Sequence, residues 1–189
     1  MAMDIPTLYT ERLTLRAITL GDVPAIQRHF DNWNIIQHLT NQVPWPYPPD
    51  GAMTFVTEVV LPSHDAGTSL MWAITETGAD ELIGSIDFSF EDDGAGNRGF
   101  WLAEPYWGRG YVTEAVVAVQ DHVLLDLGVE RMTVLNAVTN PASRRVKEKT
   151  GARWIGQIEL EHRNGEMLSD KWEVTRADWA RHRNRSVDD

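Results

Sequence analysis

Two glycines one residue apart, Gly108 and Gly110, mark the stretch of this sequence best suited to chemistry: Pro105-Tyr106-Trp107-Gly108-Arg109-Gly110-Tyr111-Val112-Thr113-Glu114-Ala115. Glycine takes left-handed backbone without steric cost. Here it ends a strand-like run and opens an amphipathic helix, so that consecutive N–H groups can converge on an anion at the positive helix end. A plain turn is the competing reading, because short Gly-x-Gly segments are common. Farther along, five of the 17 Lys and Arg residues (Arg144, Arg145, Lys147, Lys149 and Arg153) fall within ten positions of an otherwise acidic chain. They fit either a solvated helix face or a pocket for a polyanionic cofactor.

Other chemistries lack their residues. The chain has no cysteine, no His-Glu-x-x-His and no Gly-x-Ser-x-Gly, so thiol, zinc-hydrolase and serine-hydrolase reactions have no support and no metal is expected. The glycine turn also lacks the Gly-Lys-Ser/Thr of a nucleotide-hydrolysing loop. No acidic residue follows it at the spacing that holds a ribose. A formal charge of -11 argues against nucleic acid as a partner and favours a cationic one. No apolar run reaches the roughly 20 residues that span a bilayer, and Met1 to Thr10 lacks a basic region followed by an apolar one. The expectation is a cytoplasmic protein with no membrane partner.

The elements that must position the turn are legible from periodicity. With 42% hydrophobic and 24% charged residues over 189 positions, the chain suits one domain, residues 1–189. Arg12 to Ile18 alternates as a half-buried strand, and Gly21-Asp22 introduces a helix through Phe30. Trp33 and the segment Trp45-Pro46-Tyr47-Pro48-Pro49 form a stiff aromatic loop, read as a lid on the core or as a wall of a substrate cleft. A helix follows from about Asp50 to Val60. Ser69 to Thr75, Glu81 to Phe90 and Arg98 to Ala103 read as an antiparallel meander. Val116, Val119, Val123, Leu124 and Leu127 then make an apolar stripe on the helix after the glycine turn, stopped by Gly128. A strand from about Arg131 to Val138 precedes Asn140-Pro141, an N-cap and first-turn proline, and Gly151 closes that helix. Strands near Arg153 to Glu161 and Met167 to Thr175 flank Asn164-Gly165, a hairpin signal. The tail after Arg181 is expected to fray. The fold class is α+β, a mostly antiparallel sheet with helices on both faces.

Phe100 to Ala152, and less sharply Thr10 to Thr175, resembles the GNAT superfamily of acetyl-CoA-dependent N-acetyltransferases. Within it, Trp-Gly-Arg-Gly-Tyr-Val-Thr-Glu-Ala, then Asn140-Pro141-Ala142-Ser143 and Lys149-Thr150-Gly151, is similar to the branch that acetylates the N-termini of ribosomal proteins. The opening Thr10-Glu11-Arg12-Leu13-Thr14-Leu15-Arg16 is similar as well.

The resemblance implies a mixed, mostly antiparallel sheet with splayed central strands, acetyl-CoA as co-substrate, and a primary amine, most directly a protein N-terminus, as acceptor. Leu102 and Ala103 would pair with the pantetheine arm. Backbone amides of Trp107, Gly108, Arg109, Gly110, Tyr111, Val112 and Thr113 would hold the pyrophosphate. Asn140 and Ser143 would flank the thioester, with Arg144 and Lys147 nearer the nucleotide. Ser143 matches the serine given the proton-donor role in that branch. Glu161, just before the hairpin, matches a glutamate there and is the candidate base, with Glu159 on the same strand face and Glu104 and Asp87 in reserve. Trp33, Trp45 and Tyr47 would line the acceptor cleft.

The family pattern has Gln or Arg at Trp107 and Gly or Ala at Val112, which puts a crowding side chain in the loop. A tyrosine common in the superfamily aligns with Lys147. An acetyltransferase for a small amine and a non-catalytic CoA-binding module are the alternative readings, and a homodimer is compatible with the family.

Overall fold

The computed structural model describes residues 4–91 and 96–185. Strands β1 (Leu8–Tyr9), β2 (Leu13–Ala17), β3 (Ser69–Glu76), β4 (Gly84–Ser89) and β5 (Arg98–Leu102) form one antiparallel sheet in chain order. A second sheet takes β6 (Arg131–Ala137), β7 (Arg153–Glu159) and β8 (Leu168–Thr175) in the order β6-β8-β7, also antiparallel. The helices are α1 (Val23–Phe30), α2 (Trp33–Ile36), α3 (Gly51–Phe55), α4 (Leu61–Ala66), α5 (Tyr111–Gln120), α6 (Pro141–Lys149) and α7 (Arg176–His182).

Strand alternation decides which helix covers which face. On β3, Leu70, Trp72 and Ile74 turn to one side and meet Ala115, Val116 and Val119 of α5 with Val123 and Leu124 beyond its end. Ala73 turns to the other, against Ile26 of α1, Ala52 of α3, and Val56 and Val60. Each buried valine or leucine contributes about 1.5–3 kcal/mol, so the α5 stripe is enough to fix that helix on the sheet. Leu127, expected to extend the stripe, is 47% exposed. The helix widens to a π turn over Asp121–Asp126, which slips the phase of the residues after it.

Three expectations change. The helix expected over 50–60 runs on through a π turn (Val56–Val60) into α4, and stops where Gly67 adopts φ 69°. Asn164-Gly165 does sit at a hairpin tip, but the loop has three residues: His162 and Glu166 pair across it and Gly165 takes φ 83°. The chain past Thr175 does not fray at 181. It forms α7, capped by the Thr175 hydroxyl on the Asp178 N–H, with Trp179 buried and its indole bonded to Asp121 at 2.9 Å. Arg183 holds the same carboxylate. Residues 186–189 lie outside the described residues.

Among the described residues, backbone bonds join the two sheets only at the start of β5. The Asn97 N–H donates to Thr133 O at 2.9 Å, and the Thr133 N–H donates to the Asn97 side-chain oxygen at 2.9 Å. Among the described residues no other backbone bond joins β5 to β6, and the strands diverge from that point. This is the splay that the resemblance implies.

Candidate active site

At the open end of the splay the glycine turn keeps its left-handed geometry, with φ 75° at Gly108 and 82° at Gly110. A Cβ on Gly108 would meet nothing within 4 Å, so conformation rather than space calls for glycine there. Gly110 caps α5, and the N–H groups of Tyr111, Val112 and Thr113 lie in its first turn, where no earlier carbonyl of the helix reaches them. Val112 packs half-buried against the main core.

Trp107 departs from its expected role. Its N–H donates to Glu104 O at 3.1 Å and its indole to Leu102 O at 2.7 Å. The amides left to face an anion run from Gly108 to Thr113.

The short connection between β1 and β2 holds the turn in place. The Arg12 side chain bonds Glu114 in the first turn of α5, with an ion-pair distance of 2.6 Å, and donates to Arg109 O at 2.9 Å. Thr10 Oγ1 and the Arg12 N–H donate to the same carboxylate at 2.5 and 2.8 Å. Partial burial alone would raise the Glu114 pKa, but these bonds outweigh it and hold the carboxyl below its ordinary value. The pairing links residues about a hundred positions apart, and sequence reasoning gave it no role.

Along the gap, Ser89 N–H bonds Asn97 O and Ala103 N–H bonds Ile83 O, so beyond Asn97 the odd-numbered residues turn their backbone groups to β4 and the even ones to the gap. Both backbone groups of Ala103 are taken, its carbonyl by the Tyr106 N–H, and the Leu102 carbonyl by Trp107. The edge open to pairing is therefore Phe100 with the Leu102 N–H, one step back from Leu102–Ala103.

Across the gap stands α6. Asn140 caps it, its side-chain oxygen accepting from the Ser143 N–H at 3.0 Å, and Pro141 occupies the first turn. One turn on from Ser143, Lys147 points inward, not toward a solvent-facing nucleotide end. It is 1% exposed, and its Nζ donates to Ser143 Oγ at 2.8 Å and lies 5.6 Å from the centre of the Phe100 ring. Burial and then the charge of Arg98 push its pKa well below the ordinary lysine value, against an opposing pull from Asp170. Arg98 is itself buried, with Nε and Nη1 lacking a hydrogen-bond partner among the described residues, and burial lowers its pKa to about 10 despite Asp87.

The other basic residues disperse. Arg144 pairs with Glu148 at 3.0 Å and Arg153 with Glu173 at 2.9 Å. Lys149 lines a surface groove with Arg12, Thr113 and Arg183.

The acceptor-side residues divide. Trp33 and Trp45 pack with ring centres 5.1 Å apart and planes tilted by 47°, and are 37% and 39% exposed, whereas Tyr47 is buried against Phe30. Asn32 and Asn34 both donate to Glu104, which holds that carboxylate low and ties the Trp33 segment to the glycine turn. Asp87 is half-buried, and desolvation pushes its pKa up. Glu161 is exposed, with Asn41 Nδ2 donating to it at 2.5 Å. The hairpin tip reaches the turn just before α6 through Asn164 and Thr139, 3.5 Å apart. His162, bonded to Ser169 Oγ at 2.7 Å and to His38 O at 3.0 Å, clips the hairpin base to the 38–41 loop.

Known proteins share this fold. The family model described as "Acetyltransferase (GNAT) domain" matches residues 12–153. The ribosomal-protein-serine acetyltransferase of Escherichia coli K12 is 28% identical over 171 residues, covering 87% of this chain and 89% of its own. Among solved structures, the ribosomal-protein-S5-alanine acetyltransferase of Vibrio fischeri superposes with a TM-score of 0.77 at 17% identity, covering 92% of this chain and 98% of that one. The microcin C7 self-immunity acetyltransferase, solved with acetyl-CoA and AMP, gives a TM-score of 0.74 at 17% identity over 88% and 93%. An amide cradle at the end of a splayed strand and a family match over three quarters of its length therefore place this chain in the GNAT acetyltransferase family.

Proposed function

We propose that this acetyltransferase moves the acetyl group of acetyl-CoA to the N-terminal α-amine of a protein, in the cytoplasm. The observation that carries the reading is the convergence, at one open splay, of the Gly108–Thr113 amides, the Phe100–Leu102 strand edge and Ser143 on α6. Amides and a helix end suit a pyrophosphate, and an unpaired strand edge suits the amide-bearing pantetheine arm. Arg12, Lys149 and Arg183 line a groove that runs along α5 from Gly110 to Asp121, a basic surface that suits the nucleotide phosphates.

Acceptor chemistry favours an α-amine. Its pKa of about 7.7–8.0 leaves a useful neutral fraction at neutral pH, where a lysine amine near 10.4 needs a stronger base. Glu161, exposed beside the 38–41 loop, takes the proton from the attacking nitrogen. Ser143 Oγ donates to the departing sulfur. The exposed Trp33–Trp45 pair gives the acceptor an aromatic wall. Kinship with the ribosomal-protein-serine enzyme supports a protein substrate, and the net charge of -11 suits a basic one.

A second reading, a small-molecule amine as acceptor, draws on the likeness to the microcin self-immunity enzyme. One assay separates them: acetyl-CoA with basic N-terminal peptides, polyamines and aminoglycosides as acceptors. Acetylation of peptide α-amines is expected, and turnover confined to small amines would sink the N-terminal reading.

A further inference from the structure

We propose that Lys147 supplies, through Ser143 Oγ, the proton that the CoA sulfur takes as it leaves. This rests on the acetyl-transfer reading above and deepens it.

The geometry is that of a two-step relay. Lys147 and Ser143 are one helical turn apart on the same face of α6, and Nζ donates to Oγ at 2.8 Å. Ser143 is half-buried and Lys147 is enclosed, so the serine is the member that meets the gap and the amine stands behind it. Lys147 acts through Ser143 and does not touch the substrate.

A purely structural role would be served more cheaply by an apolar side chain. Enclosing an amine carries a heavy hydration cost unless strong partners replace the water. The partners here are one serine hydroxyl and the face of Phe100. Among the described residues, the charged groups that act on the amine are Arg98 of β5 and Asp170 of β8. Arg98 repels the ammonium, and two of its own nitrogens have no hydrogen-bond partner among the described residues. Asp170 attracts it but is already engaged by Trp154 Nε1 and Gln157 Nε2, each at 3.1 Å. The ammonium is therefore held where it gives up a proton readily. That property suits an acid whose conjugate partner is a thiolate, because acid catalysis is most effective when donor and acceptor affinities are matched near the working pH.

The step balances. The amine nitrogen bonds to the carbonyl carbon and loses one proton to Glu161, and the C–S bond breaks with its electron pair on sulfur. Sulfur takes the Oγ proton, and Oγ takes one from the Lys147 ammonium. Lys147 is left neutral beside Arg98, which lowers the local positive charge, and it is recharged from solvent after product leaves.

Two measurements on the intact protein test this. The first needs no acceptor: titrate the thiol of bound CoA by its ultraviolet thiolate absorbance in the natural protein, Lys147→Met and Lys147→Arg. Methionine fills the same volume without a charge. In Lys147→Met the bound thiol is expected to ionise at least one pH unit higher than in the natural protein, with Lys147→Arg in between. Identical titrations in all three would overturn the relay. The second is kcat against pH with a peptide acceptor. Lys147→Met is expected to lower kcat about 10²-fold with KM for acetyl-CoA unchanged, and to abolish the alkaline fall in rate. A variant that folds, binds CoA and keeps the natural kcat profile would also overturn it. Failure of the natural protein to bind CoA would instead defeat the acetyl-transfer reading, so the two failures are distinct.

Discussion

The two banks of the splay are built from different materials. On the α5 bank the groups that face the gap are backbone amides at left-handed glycines, and the side chains that steady them are half-exposed ions, Arg12 and Glu114. On the α6 bank they are side chains, Ser143 with the enclosed Lys147 behind it, in a setting that costs stability. Binding by backbone tolerates many substitutions that preserve the turn. A proton-handling site tolerates few, because each atom has one task. Changes on the first bank should appear in affinity and changes on the second in turnover.

The largest effect that could break this division is expected from Ser143→Ala. It should cut kcat about 10²-fold or more while calorimetry shows CoA affinity within twofold of the natural protein. A parallel loss of affinity would merge the two banks. Gly110→Ala comes next. A Cβ at φ 82° costs about 1–2 kcal/mol, so CoA binding should weaken about tenfold with kcat at saturation preserved.

Smaller again is Arg12→Ala, which should weaken CoA binding a few-fold and make the remainder less salt-dependent. The Glu114 carboxyl is depressed in the folded state. Its contribution is therefore complete above the ordinary carboxyl pKa and fades as pH falls through the lower folded value, so acid unfolding should begin at higher pH in Glu114→Gln.

The smallest effect belongs to stability on the α6 bank. Between its depressed folded pKa and the ordinary lysine pKa, Lys147 binds a proton only when unfolded, so the natural protein should gain stability as pH rises through that window. Lys147→Met should lose this slope and unfold at equal or higher temperature near neutral pH. A sharp fall in Tm would mean that the amine holds α6 in place.

How far the sequence reached follows the same division. Local signals found the glycine turn, the Asn140 cap, the α5 stripe and every strand of the two sheets but the two-residue β1, because these depend on near neighbours. Thr175-x-x-Asp178 was also a readable helix start, and α7 was missed although that pair does cap it. The spacing of Ser143 and Lys147 put them on one face, but nothing local tells an enclosed lysine from a solvated one. Only the approach of Phe100 and Arg98 from another strand decides it. The Arg12–Glu114 clamp spans 102 positions and left only a familiar-looking heptapeptide as its trace. Likewise, Ala103 lost its pairing role to Ile83 and Tyr106, partners that a linear pattern does not reveal.

Asn97 gives the cleft a measure of length. Its side chain imitates one more backbone residue and fastens the two sheets at a single vertex, so the opening is a wedge with a fixed apex rather than a slot that can unzip. From that vertex to Leu102 the strand advances five residues, about 16 Å. A guest entering from the wide end meets a stop built from two 2.9 Å hydrogen bonds, and the depth available to an acyl chain is set by the covalent spacing of the strand.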